Sequence, residues 1–392
     1  MKAILNNIKG DKVIWAIVLI LSIFSILAVY SSTGTLAYKY QSGNTEYYLL
    51  KHVGILLLGF VLMYLAHQVK YKYYARISQL AIYISVPLLA YTLFFGTNIN
   101  EASRWYTLPL INITFQPSDF AKLALIIFVA RLLAKKQDEI EDFKKGFISI
   151  MIPIVIITML ILPANFSTAA MIFATCLVLM FVGRVRFRYI GILVGIGIAS
   201  FALLVVVLMN TPKINGRLGT WQNRIESFAS DDTESNYQVE QAKIAIATGG
   251  ITGKMPGNSS QKNFLPHPYS DFIYAIIIEE YGIIGGAVVV FLYLLLFFRA
   301  IKIVIKSPRN FAAFLTFGVS FSLVFQAMVN MMVAVNILPV TGQTLPLISM
   351  GGTSIWFTSI AIGIILSVSR EIEEEQEKEK EITHKNTAHA VA

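Results

Sequence analysis

The chain has 392 residues, 56% hydrophobic and 14% charged, with a mean hydropathy of +0.65. Soluble domains carry about a quarter of their residues as charges, so this composition excludes an ordinary soluble fold. The net charge of +9 is spread over connections between apolar runs, which excludes a nucleic-acid-binding face, and the lone Cys176 excludes an intrachain disulfide.

Apolar runs able to cross about 30 Å of hydrocarbon recur along the chain. They predict an all-α polytopic membrane protein with ten spans, at about 13–31, 52–69, 77–96, 118–134, 147–162, 167–183, 189–209, 273–299, 310–335 and 352–369. Lys2, Lys9 and Lys12 precede the first run as in a secretory signal, but no small-residue cleavage site follows, so it is expected to be retained. Lys70, Lys72 and Arg76 follow span two, and Lys135, Lys136, Lys144 and Lys145 follow span four. Arg184, Arg186 and Arg188 follow span six, and Arg299, Lys302, Lys306 and Arg309 follow span eight. Basic residues thus mark alternate connections, which places both termini in the cytoplasm.

The long connection 210–270 then faces outward. Ser235 with Gln238 reads as a capping box, and Gly249-Gly250 as a stop, predicting an amphipathic helix over 237–248. Stretch 249–254 has faulty glycine spacing for a phosphate loop, and Met255 stands where a magnesium-binding hydroxyl belongs, so no nucleotide is expected. The chain divides into a membrane domain, 1–370, and a charged cytoplasmic tail, 371–392, expected to fray or to be disordered.

Ionisable groups at membrane depth are the functional signal, since each is costly there. In Leu265-Pro266-His267-Pro268-Tyr269-Ser270-Asp271-Phe272, Ser270 or Asp271 can cap the following helix, or Asp271 can act as an acid or base. Lys122 either snorkels above its helix or faces an outer cavity as a phosphate-binding cation. Arg104-Trp105 reads as an interfacial anchor. Glu279 and Glu280 lie inside span eight, on different sides of it. Gln326, Asn330 and Asn336 read as interhelical hydrogen-bonding groups, and His267 as a solvated loop histidine.

Four blocks carry a family resemblance. Asn100-Glu101-Ala102-Ser103-Arg104-Trp105 with Gln116-Pro117-Ser118-Asp119 and Lys122 is the first; 249–272 with Glu279-Glu280 and Gly282 is the second. Pro339-Val340-Thr341-Gly342-Gln343-Thr344-Leu345-Pro346 and Ser349-Met350-Gly351-Gly352-Thr353-Ser354 complete the set. Together they resemble the SEDS family, the FtsW and RodA group of division and elongation proteins. Stretches 165–169 and 269–274 are more similar to FtsW. The chain departs from the family pattern at Asp119, Asn165, His267 and Met350, and Asn165 leaves no acid in the span-five turn.

The resemblance implies a peptidoglycan glycosyltransferase that polymerises lipid II at the outer membrane face, at the division septum. It implies Asp271 as general base and Arg104, Lys122, Arg217, Arg224, Lys243 and Lys254 as cations for the leaving diphosphate. Trp105, Gln116, Glu279, Glu280, Ser349, Gly351 and Gly352 would support the site. A divalent metal, Mg2+ or Mn2+, would share the diphosphate's charge. Expected partners are lipid II, a class B penicillin-binding protein, division-complex regulators and membrane lipids, with no nucleic acid. The rival readings are a lipid II flippase and a non-catalytic scaffold that recruits a transpeptidase.

Overall fold

Inside hydrocarbon a backbone N–H or C=O has no water to bond, so each apolar run must close its own hydrogen-bond ladder as a helix. A computed structural model of the chain follows that rule, and describes residues 9–40, 42–99, 102–108, 113–211, 219–223, 226 and 237–391. On the N-terminal side lie α1 (Lys12–Ser32), a short α2 (Gly34–Tyr40), α3 (Thr45–Gln68) and α4 (Tyr71–Phe95). The middle holds α5 (Pro117–Lys135), α6 (Ser149–Ile161), α7 (Phe166–Val182) and α8 (Phe187–Asn210). After the long connection come α9 (Tyr237–Gly249), α10 (Ile273–Lys306), α11 (Asn310–Ala334) and α12 (Thr353–Val391).

Eight helices among the described residues are long and apolar enough to cross a membrane, α6 counting together with the π-turn before it. The other two expected spans are helical as well. Helix α5 carries Asp119, Lys122 and Arg131 along its length, and α7 has 17 residues, a rise of about 25 Å. The chain is a multi-pass membrane protein.

Three features depart from or refine the reading of the sequence. The connection between α4 and α5 forms a small antiparallel sheet, β1 (Thr97–Ile99), β2 (Ala102–Leu108) and β3 (Ile113–Phe115), in the order β1-β2-β3. In its backbone register Trp105 lies opposite Thr97 and Tyr106 opposite Phe115. The tail expected to fray continues α12, because its first acidic turn finds backbone donors elsewhere in the chain. Glu371 accepts from Tyr71 N at 2.7 Å and Glu373 from Gly10 N at 2.8 Å. Finally, α9 forms where the amphipathic pattern placed it and ends at Gly250 with φ 56°. Ser235, half of the expected capping box, lies outside the described residues.

Helices α5, α11 and the membrane part of α12 are deeply buried, and Leu125, Val129, Leu315, Val319, Ile362 and Leu366 belong to the core. Helix α8 stands at the opposite extreme and buries only Ile190 and Leu208.

Helix α10 is broken at Gly282, where φ is 70° and ψ −176°. A break in a membrane helix frees polar backbone groups, and here the glycine-rich stretch 249–254 supplies their partners. Ile283 N donates to Gly250 O at 2.9 Å, and Lys254 N to Glu279 O at 2.9 Å. Backbones meet so closely that a Cβ on Gly282 would collide with the Ile251 carbonyl, and one on Gly253 with the Glu280 carbonyl. The stretch rejected as a nucleotide loop is therefore a plug for a broken helix.

Candidate functional site

The approach to α10 is pinned at both ends by apolar residues. Leu265 and Phe272 are buried with Ala242 and Ala245 of α9, Ala275 and Ile276 of α10, and Val333 of α11. Between these anchors Asp271 is half-buried. The N-cap of α10 is Phe272, and no side chain caps it. The N-cap position thus falls on neither Ser270 nor Asp271. Instead, Ser270 Oγ donates to Asp271 Oδ1 at 2.8 Å.

One face of α11 aligns the approach with α5. Asn330 Nδ2 donates to the Asp271 carbonyl at 2.9 Å and to the Gln343 carbonyl at 2.6 Å. One turn away, Gln326 Oε1 accepts from Lys122 Nζ at 2.7 Å, while its Nε2 donates to Thr344 O at 2.9 Å. Residues four apart share a helix face about 6 Å from one another. Gln326 and Asn330, expected to link helices, thus also hold the loop before α12 and bring Lys122 and Asp271 to one side of α11. Asp119 Oδ1 lies 3.9 Å from Lys122 Nζ, and both side chains are largely buried.

That last outer loop closes on the approach. Ser349 Oγ donates to Ser270 O at 2.6 Å, and Met350 N to Tyr269 O at 2.9 Å. Gly352 has φ 54° where the loop enters α12, and Gly351 packs beside Ser354. Gln116 sits just before α5, with its N–H donating to Thr353 Oγ1 at 3.3 Å and its Nε2 to Ser118 Oγ at 2.9 Å.

The two glutamates of α10 are both buried and serve the loop plug. Glu279 accepts from Lys254 Nζ at 2.7 Å, from the N–H groups of Ser260 and Gln261 at 3.0 and 3.2 Å, and from Ser259 Oγ. Glu280 accepts from Ser31 Oγ of α1 and from Ser259 N at 3.4 Å. The charge of Lys254 is thereby matched within the fold. Lys243 is exposed on α9, away from the face formed by Ala242 and Ala245. Arg104 and Trp105 are placed by their backbone in β2, and Arg217 and Arg224 lie outside the described residues.

Among the described residues no three Asp, Glu, His or Cys side chains gather as a metal-binding group.

An open groove of about 350 Å³ lies between α7, α8 and α11, lined by Phe166, Ala170, Phe201, Trp221, Phe325 and Pro339 among others. Asn165 forms one end of it and caps α7, accepting from Thr168 N at 3.3 Å. Thr168 Oγ1 accepts from Gln343 Nε2 at 2.8 Å, so the groove adjoins the loop that Asn330 holds. Sequence reasoning missed this groove, because α8 reads as one more span and nothing in its composition says that it stands away from the bundle.

Residues 11–374 match the family model of the cell cycle proteins FtsW, RodA and SpoVE. The chain is 32% identical over 373 residues to a protein of Geobacter sulfurreducens named probable peptidoglycan glycosyltransferase FtsW, covering 92% of this chain and 95% of that one. It is 32% identical over 366 residues to stage V sporulation protein E of Bacillus subtilis, covering 92% and 97%. Its fold matches the rod shape determining protein RodA of Thermus thermophilus with a TM-score of 0.69 at 23% identity, over 93% and 98% of the two chains. A chain from a structure described as a peptidoglycan synthase complex that coordinates polymerization and crosslinking matches with a TM-score of 0.70 at 24% identity, over 93% and 98%.

Proposed function

Because the chain belongs to the FtsW, RodA and SpoVE family of cell cycle proteins, we propose that it is a peptidoglycan glycosyltransferase that polymerises lipid II with Asp271 as general base. The observation that carries this reading is the shared face of α11, where Asn330 holds the Asp271 backbone and Gln326 holds Lys122. A base and a cation at one site match the two needs of the reaction.

The acceptor sugar hydroxyl attacks C1 of the donor sugar and gives its proton to the Asp271 carboxylate. The bond from C1 to the diphosphate oxygen breaks, and its electron pair stays on the leaving diphosphate. Lys122 stabilises that charge, as a preorganised cation does in a water-poor site. Arg104, Arg217, Arg224 and Lys243 are further cations on the outer side in this reading. Ser270 and Asn330 orient the base, while Gln116, Ser349, Gly351 and Gly352 shape the loops around it. An α-linked donor yielding a β-linked chain is inverted, so one displacement suffices without a covalent sugar–enzyme intermediate. The apolar groove beside α8 suits a polyprenyl tail, with the sugars toward the outer face.

In this reading the protein works in the cytoplasmic membrane at the septum, with both termini cytoplasmic. It is paired with a class B penicillin-binding protein that cross-links the new strand, under division-complex regulators. The neighbour solved as a peptidoglycan synthase complex supports such a pairing.

The test combines the purified chain, lipid II and the cognate transpeptidase. Glycan strands should form, and Asp271→Ala should stop them. Strands made by that variant at the parental rate would remove Asp271 from its role. Transbilayer movement of lipid II with no polymer would establish a flippase. Normal division by cells carrying changes at Asp271 and Lys122 would establish a scaffold.

A further inference from the structure

Two polar residues that the proposed mechanism does not use are buried completely in the outer half of the bundle: Ser25 of α1 and His52 of α3. Ser25 Oγ donates to the Ile348 carbonyl at 2.8 Å and lies 2.7 Å from His52 Nε2. A hydroxyl has one proton and a carbonyl can only accept. The Ser25 proton therefore points to Ile348, and His52 must donate from Nε2. His52 is then the neutral Nε2–H tautomer, and its buried Nδ1 has no hydrogen-bond partner.

The carbonyl at the end of this chain belongs to the turn that closes on the catalytic approach. Leu347 has φ 65°, a left-handed conformation costly for a branched residue, so the turn needs outside support. Tyr293 Oη bonds the Pro346 carbonyl on one side and Ser25 bonds Ile348 on the other. The next two residues, Ser349 and Met350, bond Ser270 and Tyr269.

We propose that His52 and Ser25 form a positioning pair for the glycosyltransfer reaction, a buried donor relay that sets the 345–350 turn and through it the placement of Asp271. The inference rests on the assignment of Asp271 as base. His52 touches neither sugar nor diphosphate. It acts by keeping the Ser25 hydroxyl pointed at one carbonyl. A side chain that donates from the same place can replace it, and an apolar one of similar size cannot, because Ser25 then turns and the turn relaxes.

The experiment measures steady-state polymerisation by the full-length chain in lipid nanodiscs with its transpeptidase, alongside thermal unfolding. His52→Leu and Ser25→Ala should each lower kcat about 10–100-fold, the scale of a misplacement near 1 Å, with KM for lipid II within about two-fold of the parent. His52→Gln, whose amide nitrogen reaches where Nε2 lies, should restore kcat to within about three-fold. The double variant Ser25→Ala/His52→Leu should be no slower than the slower single one, since both break one chain. Equal losses in His52→Gln and His52→Leu, additive losses in the double variant, or a rise in KM with unchanged kcat would each overturn the relay. If His52→Leu does not fold, kcat of His52→Gln and Ser25→Ala decides alone: a slow Gln variant or a fast Ala variant overturns it. Asp271→Asn is run in parallel. An active Asp271→Asn enzyme fails the base assignment, whereas an inactive one beside a fully active His52→Leu fails the relay only.

Discussion

At the head of α10 the chain handles two carboxylates in opposite ways. Glu279, eight residues on, is fully buried and surrounded by an ammonium, a hydroxyl and two backbone N–H groups from the loop plug. Asp271 is half-buried on a loop, outside the helix, with its backbone fixed by Asn330 and its carboxylate oriented by Ser270. A buried charge tolerates its site only when paired and hydrogen-bonded, and then it serves the fold. A rim charge with a fixed backbone keeps room for a substrate hydroxyl. Equal residue chemistry thus yields a buried structural bond at one position and an accessible carboxylate at the other.

Four substitutions break or sharpen that contrast. Asp271→Asn should slow strand synthesis about 10²–10⁴-fold in a purified assay while melting hardly moves, because the residue is half-buried on a loop and the substitution keeps its shape. Glu279→Ala should do the reverse, costing about 3–5 kcal/mol in thermal or denaturant unfolding by stranding Lys254 and the loop donors. A folded, fully stable but inactive Glu279→Ala protein would invert the comparison. Lys122→Met keeps the volume and removes the cation beside Gln326, so polymerisation should fall about 10²–10³-fold; an unchanged rate would leave Lys122 a packing group. Asn165→Ala removes the α7 cap, and calorimetry should register a loss of about 0.5–2 kcal/mol.

Much of the site was legible because intramembrane charge is costly and therefore rare. Lys122, Asp271, Glu279 and Glu280 stand out of their apolar surroundings on that ground alone. The roles divided less clearly. Gln326 and Asn330 were visible as polar residues in an apolar helix, yet their partners are loop carbonyls at 344, 271 and 343, which no local pattern names. Ser25 and His52 were not singled out, although a histidine inside an apolar run was the available signal. The small sheet of β1, β2 and β3 was also missed, since two of its strands have three residues each, too few to show alternation.

What local sequence determined by itself is which segments are helical and apolar enough to cross a membrane. Transfer of a helix into hydrocarbon depends on the composition of about 20 consecutive residues and on little else. Only tertiary structure decided which polar group meets which. Ser25 reaches a carbonyl 323 residues away, and Ser31 reaches Glu280 across 249. Partners so distant in the chain are chosen by packing of the helices, and a short hydrogen bond in a dry interior exists only once that packing is made.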